Sequence, residues 1–330
     1  MIPILVSALM WLLVASQLIL RRGRAERSIL YSAVTIAIAT TLNIDGLYLW
    51  VDRLFGGTNV VTLLADLALM VGIFFLGRAI AKASQHTSGA VRIALGRGVL
   101  GVALAGVVVA FFFIDRGPST TTFMLDLGAQ PAAAVYSMIQ FTYDAIVLAA
   151  MVAVTTRQVR GTKGAERVPP FSVLVGSVLG IALSIVIIVM DVAHVTGDLG
   201  LMLSLGEVYG PLYLATFVFL CAGLAGQPAV RRAQARSRAD HTRDLVEQVT
   251  PIWQRATAVR PGLSQVADAG FNDADAETQL HREIVEIRDA VIDPEASFAL
   301  TDDERELLEE AEAQLIGGDP ARGDRSKESQ

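Results

Sequence analysis

Residues 132–155 read AAAVYSMIQFTYDAIVLAAMVAVT, a stretch apolar on every side with one carboxylate, Asp144, near its middle and Arg157, Arg160, Lys163 and Arg167 just beyond it. A bilayer core of ~30 Å takes ~20 helical residues to cross, so this segment has the length of a transmembrane helix. Backbone groups in lipid must pair within their own segment, and the continuous hydrophobicity excludes the alternation of a barrel strand. Working outward, six further stretches of the same kind occupy residues 2–20, 28–50, 59–80, 93–114, 171–194 and 204–224. The spacing predicts an all-α polytopic bundle of seven transmembrane helices.

The cations between these stretches predict its orientation. Arg21, Arg22, Arg24 and Arg27 follow the first, Arg78, Lys82, Arg92 and Arg97 surround the gap after the third, and Arg157 to Arg167 follow the fifth. Arg231, Arg232, Arg236 and Arg238 follow the seventh, whereas the alternate gaps hold only Arg53 and Arg116. Sixteen cations against two place the N-terminus outside and the C-terminus in the cytosol of a multi-pass cell-membrane protein. Residues 2–20 have no basic residue ahead of them and arginines behind, the reverse of a signal peptide, and read as a retained first helix. Tyr48, Trp50 and Phe55 suit an aromatic belt at the outer interface.

Composition agrees. Hydrophobic residues make up 53% and charged residues 18% of the 330, and the mean hydropathy is +0.50, membrane-protein values. The net charge of −6 conceals two halves: residues 1–239 hold 18 Lys and Arg against 11 Asp and Glu, residues 240–330 hold 9 against 22. The basic residues face lipid headgroups, and the acidic end argues against nucleic acid as a partner. Cys221 is the only cysteine, which rules out an intrachain disulfide and reads as packing inside a span.

Three regions are expected: a transmembrane domain over 1–226, a cytosolic α-helical domain over 227–316 and a disordered tail over 317–330. Within the second, residues 240–258 read as a helix interrupted at Pro251, and 259–274, with Pro261, Gly262 and Gly270, as a loop. Leu280, Ile284, Ile287 and Val291 form a helical stripe in 276–292. Thr301 and Glu304 have capping-box spacing ahead of Leu307, Leu308, Ala311 and Leu315, and Gly317 and Gly318 end that helix. Gly101 with Ala105 and Gly176 with Gly180 offer small-residue helix contacts.

The runs LVEQVTPIWQRATAVRPGL (Leu245 to Leu263) and LHREIVEIRDAVI (Leu280 to Ile292) resemble the tail of an uncharacterised actinobacterial membrane-protein family. That resemblance implies about seven N-terminal helices followed by a tail domain of unknown function, in proteins described as candidate transporters. Its members often close the second run with a Leu-Arg-Pro-Tyr-like end, where this chain has Asp293, Pro294 and Glu295. Read locally, Arg282 with Glu286, Glu283 with Ile287 and Ile284 with Arg288 are one-turn neighbours on a charged helix face held by weak pairs. Arg282, Glu286, Arg288 and Trp253 are the candidates for docking a cytosolic regulatory protein or a second copy of the chain.

Function points to acids inside the spans that no intramembrane Lys or Arg accompanies: Asp45, Asp66, Asp144, Asp191 and Glu207. All lie in the outer half or near the midplane. Asn59 and Thr62 fall on the face of Asp66, Gln140 and Tyr143 on that of Asp144, and His194 lies one turn beyond Asp191. Pro211 frees the carbonyl of Glu207 and predicts a kink there. A lone carboxylate at a helix centre costs roughly 2.5–3.5 kcal/mol on insertion scales. These groups therefore line a wet outward vestibule, or Asp144 is neutral, or a cation sits among them. Asp191, His194, Glu207 and Asp45 could together bind a metal ion, although no metal and no cofactor is expected. P-loop, dinucleotide, zinc-protease and serine-hydrolase motifs are absent, so no enzyme activity is expected. The expected role is a sensory or regulatory membrane protein, with a proton-coupled secondary transporter as the alternative.

Overall fold

The structure, a computed structural model, describes residues 1–20, 27–84, 88–259, 275–293 and 297–317. Arg21, Arg22 and Arg24, the expected loop with Pro261, Gly262 and Gly270, the pair Pro294 and Glu295, and the tail after Gly317 lie outside the described residues. Among those described there is no strand; the helices are α1 (Ile2–Leu20), α2 (Arg27–Leu42), α3 (Asp45–Leu54), α4 (Val60–Lys82), α5 (Gly89–Ala94), α6 (Arg97–Phe112), α7 (Phe123–Leu127), α8 (Pro131–Gly161), α9 (Val168–Thr196), α10 (Leu199–Val259), α11 (Ala276–Ile292) and α12 (Asp302–Gly317). Five of them are long and apolar enough to cross a membrane, namely α1, α4, α8, α9 and α10, and the bent pair α2–α3 makes six. Helix α6 is apolar but only 16 residues long, about 24 Å of rise. This architecture fits a multi-pass membrane protein.

Three expected elements differ, the first being 93–114, which is split between the end of α5 and α6 with Gly96 extended (φ −75°, ψ 143°) between them. The span 28–50 is broken: α2 and α3 meet at 88°. Asn43 and Gly46 are turn formers, Ile44 is extended (φ −82°, ψ 120°), and Asp45 opens α3 as the acid in its first turn, where a helix favours negative charge. The segments 204–224 and 240–258 are one helix, because α10 continues through Pro211, Pro228 and Pro251 without interruption. Proline leaves the carbonyl four residues earlier without its backbone donor. For Pro228 that is Leu224, whose oxygen instead accepts from the buried Gln17 side chain at 3.0 Å.

The chain divides into two compact units, Met1–Val230 and Arg231–Gln330. In the first, α1 packs on α2, α2 on α4, α4 on α8 and α8 on α9. Glycines let α9 meet α10 closely: a Cβ at Gly176 would stand 2.8 Å from the Leu220 nitrogen, and one at Gly223 2.4 Å from Val173. Gly101 has open space around it, so that glycine marks no helix contact. Gln17 on Leu224 and Met10 on Cys221, sulfurs 3.6 Å apart, bring α10 back to α1. Six helices thus close a ring, α1–α2–α4–α8–α9–α10, with α6 packed outside it on α4 and α8.

In the second unit, Leu245, Val249, Ile252 and Ala256 of α10 pack with Leu280, Ile284, Ile287 and Ala290 of α11 and Leu308 and Ala311 of α12. The capping box forms: Thr301 N donates to Glu304 Oε2 at 3.0 Å and Glu304 N to Thr301 Oγ1 at 3.3 Å.

Candidate functional site

Helix α8 forms one wall of the site. Ser137, Gln140 and Asp144 follow one another at helical spacing and are 1%, 2% and 3% exposed, so one polar face of α8 is turned into the bundle. Asp66 of α4 meets that face. Its Oδ2 accepts from the Tyr136 hydroxyl at 2.5 Å, and Gln140 reaches the same carboxylate. Asp144, one turn further along α8, lies close enough to Asp66 for their charges to interact, and its Oδ1 is buried with no hydrogen-bond partner. The Tyr143 hydroxyl beside it is likewise buried and unpartnered. Neither α4 before Arg78 nor α8 before Arg157 supplies a cation.

The polar groups descend like a stair. Ser137 and Asp191 of α9 are neighbours, and both side chains are buried. Asp66 lies about 9 Å along α4 from its start, and Asp144 about 20 Å along α8. From α10 come Tyr209 and Tyr213, stacked with centroids 5.7 Å apart and both near Asp66. Tyr209 is 37% exposed. Asp66 is half-buried, and Asp144 is only 3% exposed.

Not every acid joins. Asp45 and Glu207 are exposed and stand outside this cluster. His194 is half-buried against the α7–α8 corner, where a Cβ on Gly128 would meet its Nδ1 at 2.7 Å. Among the described residues no three His, Cys, Asp or Glu side chains gather as a metal site would require, so the quartet Asp191, His194, Glu207 and Asp45 does not form one.

An acid not singled out from the sequence, Asp52, is fully buried at the end of α3. Its oxygens accept from Asn59 N at 2.8 Å, Val61 N at 3.1 Å and Ser119 Oγ at 2.5 Å, capping α4 from another helix. Asn59, in the left-handed conformation at φ 62°, accepts from the Tyr48 hydroxyl and from Thr120 N, both at 2.8 Å, and donates to the carbonyls of Arg116 and Pro118. Tyr48 is therefore a buried structural residue rather than part of an interfacial belt.

The expected docking residues make contacts within the second unit. Trp253 Nε1 donates to Glu286 Oε2 at 2.5 Å, the Arg282 guanidinium lies 5.8 Å from the Trp253 ring centroid, and Arg288 Nε donates to Glu312 of α12 at 2.8 Å. Glu286 is 5% exposed and Glu283 0%. Charges on α11 thus also reach the neighbouring helices. Searched against family models, curated proteins and solved structures, the chain has no match.

Proposed function

We propose that the chain is a seven-span membrane protein, N-terminus outside and C-terminus in the cytosol, that senses a proton or small cation at Asp66 and Asp144 and reports it through its C-terminal helices. The observation that carries this reading is the carboxyl pair itself: two interacting acids in the ring, one with an unpartnered buried oxygen, and no cation on the helices that hold them. Two negative charges about a helical turn apart in a poorly solvated interior repel, and one bound positive charge removes that repulsion and leaves a single carboxylate to be solvated. α6 and the bent α2–α3 pair supply the sixth and seventh crossings of that topology. The same helix, α10, provides Tyr209 and Tyr213 beside the pair and Leu245 to Ala256 to the second unit's core. The family resemblance of the second unit extends the proposal to the actinobacterial membrane proteins described above.

A transporter is the second reading, favoured by a crevice of about 40 Å³ at the other end of the ring, lined by Thr155, Gln158 and Gln227 among others. Between Asp144 and that crevice, Val147, Leu148 and Met151 of α8 are buried and apolar, which supports a dead-end site. The test uses full-length protein in liposomes enclosing a pH dye, with hydrogen exchange followed in residues 240–317. A sensor shows exchange in that region that changes with external pH, a response lost in Asp144→Asn, and no proton flux. Flux abolished by Asp144→Asn would establish the transporter; neither response would discard the site.

A further inference from the structure

A second charged feature has the opposite sign and lies at the end of α4 remote from Asn59. Arg78 and Lys82 are one turn apart, so they project on the same side of the last turns of α4. Arg92 reaches them from α5. The local packing fixes this: a Cβ at Gly77 would stand 2.8 Å from Leu95 Cδ2, so the missing side chain is the notch in which Leu95 sits, and Val91 is buried beside it. Ser88 Oγ caps α5 by accepting from Val91 N at 3.4 Å. With Val91 and Leu95 as anchors, Arg92 stands over the end of α4. Between the two helices lies a cleft of about 520 Å³ lined by Arg78, Lys82, Arg92 and Ser84 together with Ala81, Val91, Leu95 and Gly96. That volume is within the roughly 300–1,000 Å³ of small-ligand sites.

The lining holds three cations and no acid, and no ion pair among the described residues uses any of the three. Arg78 is held over the Phe74 ring at 5.4 Å, which fixes its guanidinium plane while leaving its charge uncompensated. Three like charges converging on one cleft repel unless an anion joins them. Alongside it runs apolar surface that faces no protein: Ile93 is 70% exposed and Val102 75%. A free anion has no use for that surface, whereas a phospholipid needs both parts.

We propose that this cleft binds the phosphodiester headgroup of an anionic phospholipid, with acyl chains lying along α5 and α6. The inference requires the bundle to lie in a bilayer but not that Asp66 and Asp144 sense anything. Its test is native mass spectrometry of the full chain released from vesicles of equal phosphatidylglycerol and phosphatidylcholine. Retained phosphatidylglycerol should exceed phosphatidylcholine by roughly tenfold or more, falling to about twofold in the variant Arg78→Gln, Lys82→Gln, Arg92→Gln. The control Arg231→Gln, Arg236→Gln should keep the preference, and so should Asp144→Asn, which separates this site from the sensing one. If the triple variant does not fold, Arg92→Gln alone should weaken the preference and Arg92→Lys should restore it. Equal retention of the two lipids, or a preference unchanged by the cleft variants, overturns the proposal. Displacement of the lipid by millimolar inorganic phosphate would show instead a site for free anions.

Discussion

Glu283 in the second unit is a fully buried carboxyl whose neighbours can accommodate a proton. Thr250 has a single hydroxyl proton, yet its Oγ1 stands 2.8 Å from the Val246 carbonyl and 3.1 Å from both Glu283 oxygens. If the acid is protonated, every group is satisfied: Glu283 donates to Thr250, Thr250 to Val246, and Gln279 Nε2 donates to Glu283 at 2.8 Å. Burial holds this carboxyl above the usual glutamate range, against the hydrogen bonds it shares with Gln279 and Thr250, which lower it. A raised carboxyl means that the folded unit binds more protons than the unfolded chain. Its stability is then fullest below the ordinary glutamate range and declines as pH rises through the folded value. Glu283→Gln, whose amide can donate to Thr250 and accept from Gln279, should leave the unit as stable or more so at pH 7. It should also flatten that decline, as followed by thermal melts across pH. From sequence, Glu283 reads as one more charge on a solvated face; only the packing of α10 against α11 reveals its burial.

At the scale of elements, the joint between α3 and α4 is where local sequence says least. Asp52 lies in the same charged stretch as Arg53 and reads as an interfacial residue, because nothing nearby in the chain announces the backbone donors it will meet at Asn59 and Val61. Replacing it by Ala would strand two backbone N–H groups and the Ser119 hydroxyl in a buried place. The expected loss is about 2–4 kcal/mol, read as a lowered Tm in detergent with the C-terminal unit's melt unchanged. Where local chemistry is self-contained, the sequence reads well: the stripe of Leu280, Ile284 and Ile287 predicts α11, and Thr301 with Glu304 predicts the start of α12. The break after Leu42 was written in Asn43 and Gly46, but surrounding hydrophobicity outweighed them. Pro251 misled in the other direction, since a long helix tolerates proline where packing of its flanks sustains it. Asp66 and Asp144 were legible as intramembrane acids, whereas their proximity depends on α4 meeting α8, which no single span encodes. Tyr209 and Tyr213 carried a signal, two tyrosines one turn apart, that hydropathy alone does not register.

For the whole molecule, the prediction is topological. Alternating cations call for seven crossings, and exposed positions near the helix ends suit single cysteines: Thr121 and Asp198 for one side, Gly161 and Ser237 for the other. In intact cells, an impermeant maleimide should label cysteines placed at the first two and spare the second two until the membrane is opened, with Cys221→Ser as background. Labelling of all four from outside would remove the assumed sidedness and with it the reporting role of the second unit.

The amide of Gln17 adds a constraint in time. It lies 207 positions before the carbonyl it serves, so a ribosome delivers the donor long before the acceptor, and N-terminal segments enter their environment first. Until Leu224 and Pro228 arrive, the Gln17 amide must find another partner. The seam between the earliest and latest helices therefore cannot close before α10 is made, and Gln17→Leu should slow its closing, seen as protease-sensitive newly made chains that mature slowly.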